Sequence, residues 1–171
     1  MALTQTANRK KAAPKSAAKA TPDAITLLKN DHREVEAWFD EFENTNAASK
    51  KQKLATQICT ALTVHTMIEE EIFYPACREA GVEDDMMDEA DVEHDGAKRL
   101  IEEIEAGAPG DDHWDAKVTV LGEMIRHHVK EEEQRDGMFA KAKKAGLDLV
   151  ELGAQLKARK DELMKQMKAR H

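Results

Sequence analysis

Four stretches of this chain repeat apolar side chains every three or four residues, and one histidine interrupts each stripe. The first stripe is Ile25, Leu28, His32, Val35, Phe39 and Phe42. The second is Leu54, Ile58, Ala61, His65, Ile68, Ile72 and Ala76. Met87, Ala90, His94, Ala97, Ile101 and Ile104 make the third. Trp114, Val118, Leu121, Ile125, His128, Glu132 and Phe139 make the fourth. That spacing is one face of a helix and does not fit a strand, whose faces alternate every second residue. Aromatic residues are 4% of the chain and charged residues 35%. A sandwich or barrel needs more aromatic and β-branched residues than this, so the composition argues against both.

Turn and cap signals divide the stripes into helices. Thr21 is placed as an N-cap, with Pro22 at the first helical position, and the first helix ends near Asn44. Ser49 caps the second, and Gly81 suits a left-handed residue after its end. The third runs from Asp84 to Ala106 and is broken by Gly107-Ala108-Pro109-Gly110. Asp111 or Asp112 caps the fourth, which runs to Gly146. Asp148 and Glu151 form a capping box for a fifth helix carrying Val150, Leu152, Leu156, Leu163 and Met164. Short links make sequential helices antiparallel. The expected fold is therefore all-α: an up-down-up-down four-helix bundle over residues 22–145, with an additional C-terminal helix over residues 146–171 packed outside it.

Residues 1–21 have a different character. They hold five Lys or Arg and no acid, which leaves a charge of −13 on residues 22–171. Such a segment buries too little apolar surface to offset its ordering entropy, so it reads as a disordered basic Ala/Lys-rich tail. The tail is the one part suited to nucleic acid or an acidic partner; the acidic body argues against nucleic-acid binding by the folded region. No run of about 18 apolar residues suggests a membrane span. Only Cys59 and Cys77 are present, too few for a disulfide framework, so a reducing cytoplasm is expected.

The histidines converge in depth. At 1.5 Å per residue, His32 and His94 each lie about 15 Å from one end of the bundle, with His65, Glu69, His128 and Glu132 at about 16–26 Å. His65-x-x-x-Glu69 and His128-x-x-x-Glu132 each place an imidazole and a carboxylate one turn apart on one face. Glu132 projects within about 20° of the centre of its stripe, whereas Glu131 and Glu133 point about 100° away and read as solvated acids. His127 is rotated off the stripe in the same way. His113, His127 and His171 are read as surface residues. Burying a carboxylate on an apolar stripe costs several kcal/mol unless a cation pairs with it. The pattern also repeats: His32 to His65 is 33 residues and His94 to His128 is 34. Two helical hairpins, each with a lone histidine and a His-x-x-x-Glu, supply a two-metal set: His32, His65, Glu69, His94, His128 and Glu132. Nitrogen and carboxylate donors without thiolate suit iron or manganese, with zinc as a further substitute. Iron is preferred because O₂-type chemistry needs a redox change and an open position. A ferritin-like carboxylate site would need Glu-x-x-His, the reverse order at shorter spacing.

These residues resemble the haemerythrin-like, HHE cation-binding domain family. The matching elements are His32, the run His65-Thr-Met-Ile-Glu69-Glu-Glu-Ile-Phe-Tyr-Pro75, His94, and His127-His128-Val-Lys-Glu-Glu132-Glu133, within residues 22–145. The resemblance implies a non-haem di-iron centre bridged by Glu69, Glu132 and an oxo or hydroxo species. Oxygen-carrying haemerythrins have a further histidine four residues after the position of His94; here it is Lys98. Glu36, one turn beyond His32, is the nearest alternative donor but reads as solvated. The run Gln134-Arg-Asp-Gly-Met-Phe139 also departs from the family pattern.

The function expected is binding of O₂, peroxide or nitric oxide, for oxygen sensing, storage or an oxidative-stress response. Ile68, Ile72, Ile101 and Ile125 are expected to wall the site. No dedicated general acid or nucleophile is visible, so the enzyme question stays open, with catalase- or peroxidase-like side activity as the chemistry within reach. Two other classes remain: an iron or redox sensor acting through metal-dependent bundle stability and the basic tail, and a purely structural bundle that binds no metal.

Overall fold

A computed structural model describes residues 20–170. The tail reading therefore lies almost wholly outside the described residues, as does His171. The helices are α1 (Ala24–Glu43), α2 (Ala48–Ile68), a π-helical turn (Glu69–Phe73), α3 (Tyr74–Glu79), α4 (Asp84–Ala106), α5 (Trp114–Glu133), α6 (Met138–Lys144) and α7 (Leu149–Ala169). Among the described residues there is no strand. Helix α1 packs on α2 and α5, and α4 packs on the same two, so the four long helices close a ring. Helix α7 lies across the outer side of α1 and α2, which is the additional helix expected from the sequence.

The cap signals hold in part. Asp148 caps α7 by accepting from the Glu151 N–H at 3.0 Å, and Gly81 and Gly146 follow their helices with positive φ. At α1 the cap is Asp23, which accepts from Thr26 N–H at 2.8 Å, and not Thr21. At α2 the cap is Ala47, with no side-chain bond, and not Ser49. At α5 neither Asp111 nor Asp112 caps. His113 takes that place with φ 63°, while Asp111 accepts from Ala108 N–H inside the loop. Val150 faces solvent.

Two long helices are interrupted where one continuous helix was expected. The π turn falls inside the second, immediately before Pro75, which lacks an N–H and crowds the preceding turn of any α-helix. The fourth stops at Glu133, and the chain turns through Gln134–Gly137 before α6 begins. A Cβ at Gly137 would lie 2.4 Å from the Glu131 carbonyl oxygen, so only glycine lets the chain fold back so closely on the end of α5. The turn brings Phe139 flat against His32, ring centroids 5.9 Å apart.

The apolar core is in two parts. One gathers Leu28, Ile68, Phe73, Met87, Phe139 and Leu156 beneath α7. The other gathers Val35, Phe39, Ile58, Ile104, Trp114 and Leu121 at the opposite end. A layer of buried polar side chains separates them. No helix among the described residues is long and apolar enough to cross a membrane.

Candidate metal centre

The structure brings all six sequence-selected donors into that layer. His32, His65, Glu69, His94, His128 and Glu132 are each at most 5% exposed, and Glu69 is fully buried. One donor atom from each of His32, His65, Glu69 and Glu132 falls within a sphere of metal-site size, and Glu69, His94 and His128 form a second such group. Glu69 is common to both. The imidazoles pair: His32 Nε2 lies 3.2 Å from His65 Nε2, and His94 Nε2 lies 3.2 Å from His128 Nε2. Within the pairs the ring planes are inclined at 65° and 62°. The halves of the site are thus near-copies, as the 33- and 34-residue spacings suggested.

The outward nitrogen of every ring is held by a carboxylate. Nδ1–H of His32 donates to Glu133 at 2.8 Å and that of His65 to Asp31 at 3.0 Å. His94 donates to Glu70 at 3.0 Å and His128 to Glu93 at 2.9 Å. The same rule governs both halves. An acid just before the lone histidine (Asp31, Glu93) holds the His-x-x-x-Glu histidine of its own hairpin. An acid just after the inward glutamate (Glu70, Glu133) holds the lone histidine of the other. Such partners fix the ring and aim Nε2 inward. Glu133 is therefore not simply a solvated acid: it is 18% exposed and pairs with His32 and Arg33. Three of the four outer carboxylates carry a cation: Lys160 on Asp31, Lys98 on Glu70 and Arg33 on Glu133. Lys98, at the position where a histidine ligand was missed, is thus turned outward to Glu70. Glu36 pairs with Arg33 at 3.3 Å and stays out of the centre.

One central residue was not foreseen. The Tyr74 hydroxyl lies 2.7 Å from Glu132, 2.9 Å from Glu69, and 3.2 and 3.3 Å from the Nε2 atoms of His94 and His128. In an α-helix Tyr74 would project about 140° from Glu69. The π turn closes a bond between Tyr74 N–H and the Glu69 carbonyl, which brings the two side chains to the same side. Pro75 is the sequence signal for that break.

Charge in the layer is finely opposed. Burial alone would lower the pKa of His65, but Glu69 and Asp31 override it and hold it at about 10. His128 is raised well above its ordinary value in the same way, chiefly by Glu132. Burial and the Glu69 charge would raise Glu132, yet His128 and His32 bring it down to about 2. Tyr74 is pushed well up by burial and by both glutamates. Without a cation, protonated imidazoles neutralise the acids. Even so, Glu69 Oε1 and Glu132 Oε2, 3.0 Å from His65 Nε2 and 3.4 Å from His32 Nε2, are buried without a well-directed hydrogen bond. Two buried carboxylates facing four inward imidazole nitrogens, with one oxygen of each lacking a directed hydrogen bond, fit divalent cations, which would take up those lone pairs.

The wall differs from expectation. A very small space, about 10 Å³, adjoins the four histidines and is lined by Val35, Leu62, Ile125 and Val129. Ile125 is in place. Ile68 and Ile72 belong to the core beneath α7, and Ile101 to the core at the far end. His113 and His127 are exposed, as expected.

The sequence profile of the Hemerythrin HHE cation binding domain matches residues 23–141. A DNA nickase of Nostoc sp. is 34% identical over 107 residues, 63% of this chain; the chain spans 30% of that relative's length. The crystal structure of a haemerythrin HHE cation-binding domain-containing protein from Mycobacterium kansasii aligns with TM-score 0.71 and 20% identity. The alignment covers 85% of this chain and 89% of that one, and it shows likeness of fold.

Proposed function

The chain belongs to the haemerythrin HHE cation-binding family, and from that premise we propose that it is a non-haem di-iron protein that binds O₂ or a related small ligand, peroxide or nitric oxide. His32, His65, Glu69 and Glu132 would hold one ion and Glu69, His94 and His128 the other, with Glu69 common to both. The second set is one donor short. The Tyr74 hydroxyl, 2.9 Å from Glu69 and 3.2 and 3.3 Å from the Nε2 atoms of His94 and His128, lies where it would complete that set. A cation reverses the effect that raises the Tyr74 pKa, since positive charge beside a phenol favours the phenolate. The observation that carries this reading is the meeting of two buried carboxylates and four inward imidazoles in two groups of metal-site size that share Glu69.

Iron in such a site supplies one-electron redox change and an exchangeable position for a small ligand. Manganese and zinc fit the same donors. The protein's part is to orient and to exclude. The four outer carboxylates fix the imidazoles, and Val35, Leu62, Ile125 and Val129 keep one side apolar. The space they leave is about the size of one water, which suits a diatomic ligand and shuts out larger substrates. That size limit supports a small-ligand role such as oxygen sensing, storage or an oxidative-stress response.

A second reading, metal-dependent regulation, has one observation behind it. Lys160 of α7 reaches Asp31, and Asp31 holds His65, so the outer helix is tied to the centre. DNA cleavage is the named activity of a relative of which this chain matches less than a third, and the charge of −13 on residues 22–171 disfavours DNA binding there. The test is the absorption spectrum of protein purified in air and again after reduction without O₂. Near-ultraviolet iron bands that bleach on reduction and return with O₂ or nitric oxide are expected. A colourless zinc protein indifferent to both gases would overturn the reading.

A further inference from the structure

Outside the buried centre, one cluster breaks the symmetry of the two halves. Asp31, Glu70 and Glu133 each hold a lysine or arginine, but among the described residues Glu93, their fourth counterpart, holds none. It faces His127 and Glu131 instead, and one donor atom from each of the three lies within 4.8 Å of the others. His127 and Glu131 repeat, one residue earlier and on the outer face of α5, the His-x-x-x-Glu spacing of His128 and Glu132. His127 Nε2 is 3.2 Å from Glu131, and the histidine is 64% exposed.

A crevice of about 100 Å³ shares Glu131 with this cluster, while Glu93 and His127 lie outside its lining. Exposed Glu89, one turn before Glu93, and Glu131 line it between Met86 and Met138, and its inner wall is His128 and Glu132. Glu132, 1% exposed, faces His128 through Oε1 at 2.9 Å and His32 through Oε2 at 3.4 Å. Carboxylates line the opening at Glu89 and Glu131, and the buried Glu132 carboxylate lies at the inner wall, so a cation meets negative charge at both ends.

Building on the proposed centre, we infer that Glu93, His127 and Glu131 form a separate, peripheral divalent-cation site at the mouth of the route by which metal reaches His128 and Glu132. The site takes the place that lysine or arginine fills at the other three outer carboxylates. Its two oxygens and one imidazole leave several positions to water, so it binds weakly and releases readily. Clefts lined by one sign of charge raise local ion concentration and association rates by about 10–10³-fold.

The probe is Mn(II), titrated into the metal-loaded full chain and followed by the electron paramagnetic resonance of free Mn(II). One additional weak site per chain is expected. It should vanish in the double variant His127→Gln, Glu131→Gln and persist in His113→Gln. No additional site, or one that survives in the double variant, overturns the assignment. The second measurement is exchange of bound iron against isotopically labelled Fe(II), read by mass spectrometry. Exchange in the double variant should slow about tenfold, the low end of charge focusing, with final iron content unchanged. Exchange at the wild-type rate, or a fall in iron content, overturns the route. If wild-type protein carries no buried metal, elemental analysis shows it before either variant is made, and the failure then belongs to the centre itself.

Discussion

Tyr74→Phe separates what the phenol does in the metal-free protein from what it does beside a metal. The ring itself is retained, 5.4 Å from His94 and packed on Phe73, so no cavity opens. The hydroxyl has one proton and donates it to the nearer carboxylate, Glu132 at 2.7 Å. A hydrogen bond to a buried charge contributes about 1.5–3 kcal/mol. His94 and His128 also reach Glu69 and Glu132 directly, at 3.1 and 2.9 Å, and so lose little. The net cost in the metal-free protein is about 2 kcal/mol, or about 4–8 °C in melting temperature for a domain of this size. Ferric protein should lose any visible phenolate-to-iron charge-transfer band, and one of its two ions should bind more weakly. Thermal melts of chelator-treated protein and a visible spectrum of the loaded protein check both points. An unchanged melt together with an unchanged spectrum would refute a central role for this hydroxyl.

Other expectations follow from the same charges. In metal-free protein, His65 is raised from 6.5 to about 10; its contribution is complete below about pH 6.5 and is lost as pH rises toward 10. Glu132 is depressed from 4.5 to about 2; its contribution is present above about pH 4.5 and is lost as pH falls toward 2. Melting of chelator-treated protein should therefore be highest between about pH 4.5 and 6.5, and a steady rise toward pH 9 would contradict this. Glu70→Gln weakens the hold on His94 and should cost about 10–100-fold in metal affinity by competition with a chelator, with little change in far-ultraviolet circular dichroism. Removing metal from wild-type protein should lower its melting temperature by about 8–16 °C, as for a ligand held at about a thousand times its Kd; identical melts with and without chelator would count against metal as part of the fold.

Much of this was legible in the sequence, for identifiable reasons. Stripes of period 3.6 gave the four long helices, and buried polar positions on those stripes gave the six inward donors. Burial is expensive for such groups, so their placement on an apolar face is informative. The outer carboxylates Asp31, Glu70, Glu93 and Glu133 were not picked out, although each stands next to an inward donor in the sequence. An angle counted on one helix placed Glu133 in solvent. At the seam between helices, a side chain about 100° off the stripe reaches the imidazole of its neighbour. Tyr74 was lost because a continuous α-helix turns it away; only the π turn before Pro75 brings it in. The end of α5 was overrun because the helical signal at Phe139 is real but belongs to α6, across a chain reversal that Gly137 permits. The wall was misassigned where an isoleucine on the inward stripe sits above or below the polar layer and packs into one of the two apolar cores.

Metal content of the wild type and of Glu132→Ala, determined by elemental analysis on protein purified without added iron, tests the central claim most directly. Two ions per chain in the wild type and one or none in the variant are expected. A metal-free wild type, or a variant that still holds two ions, would contradict the account.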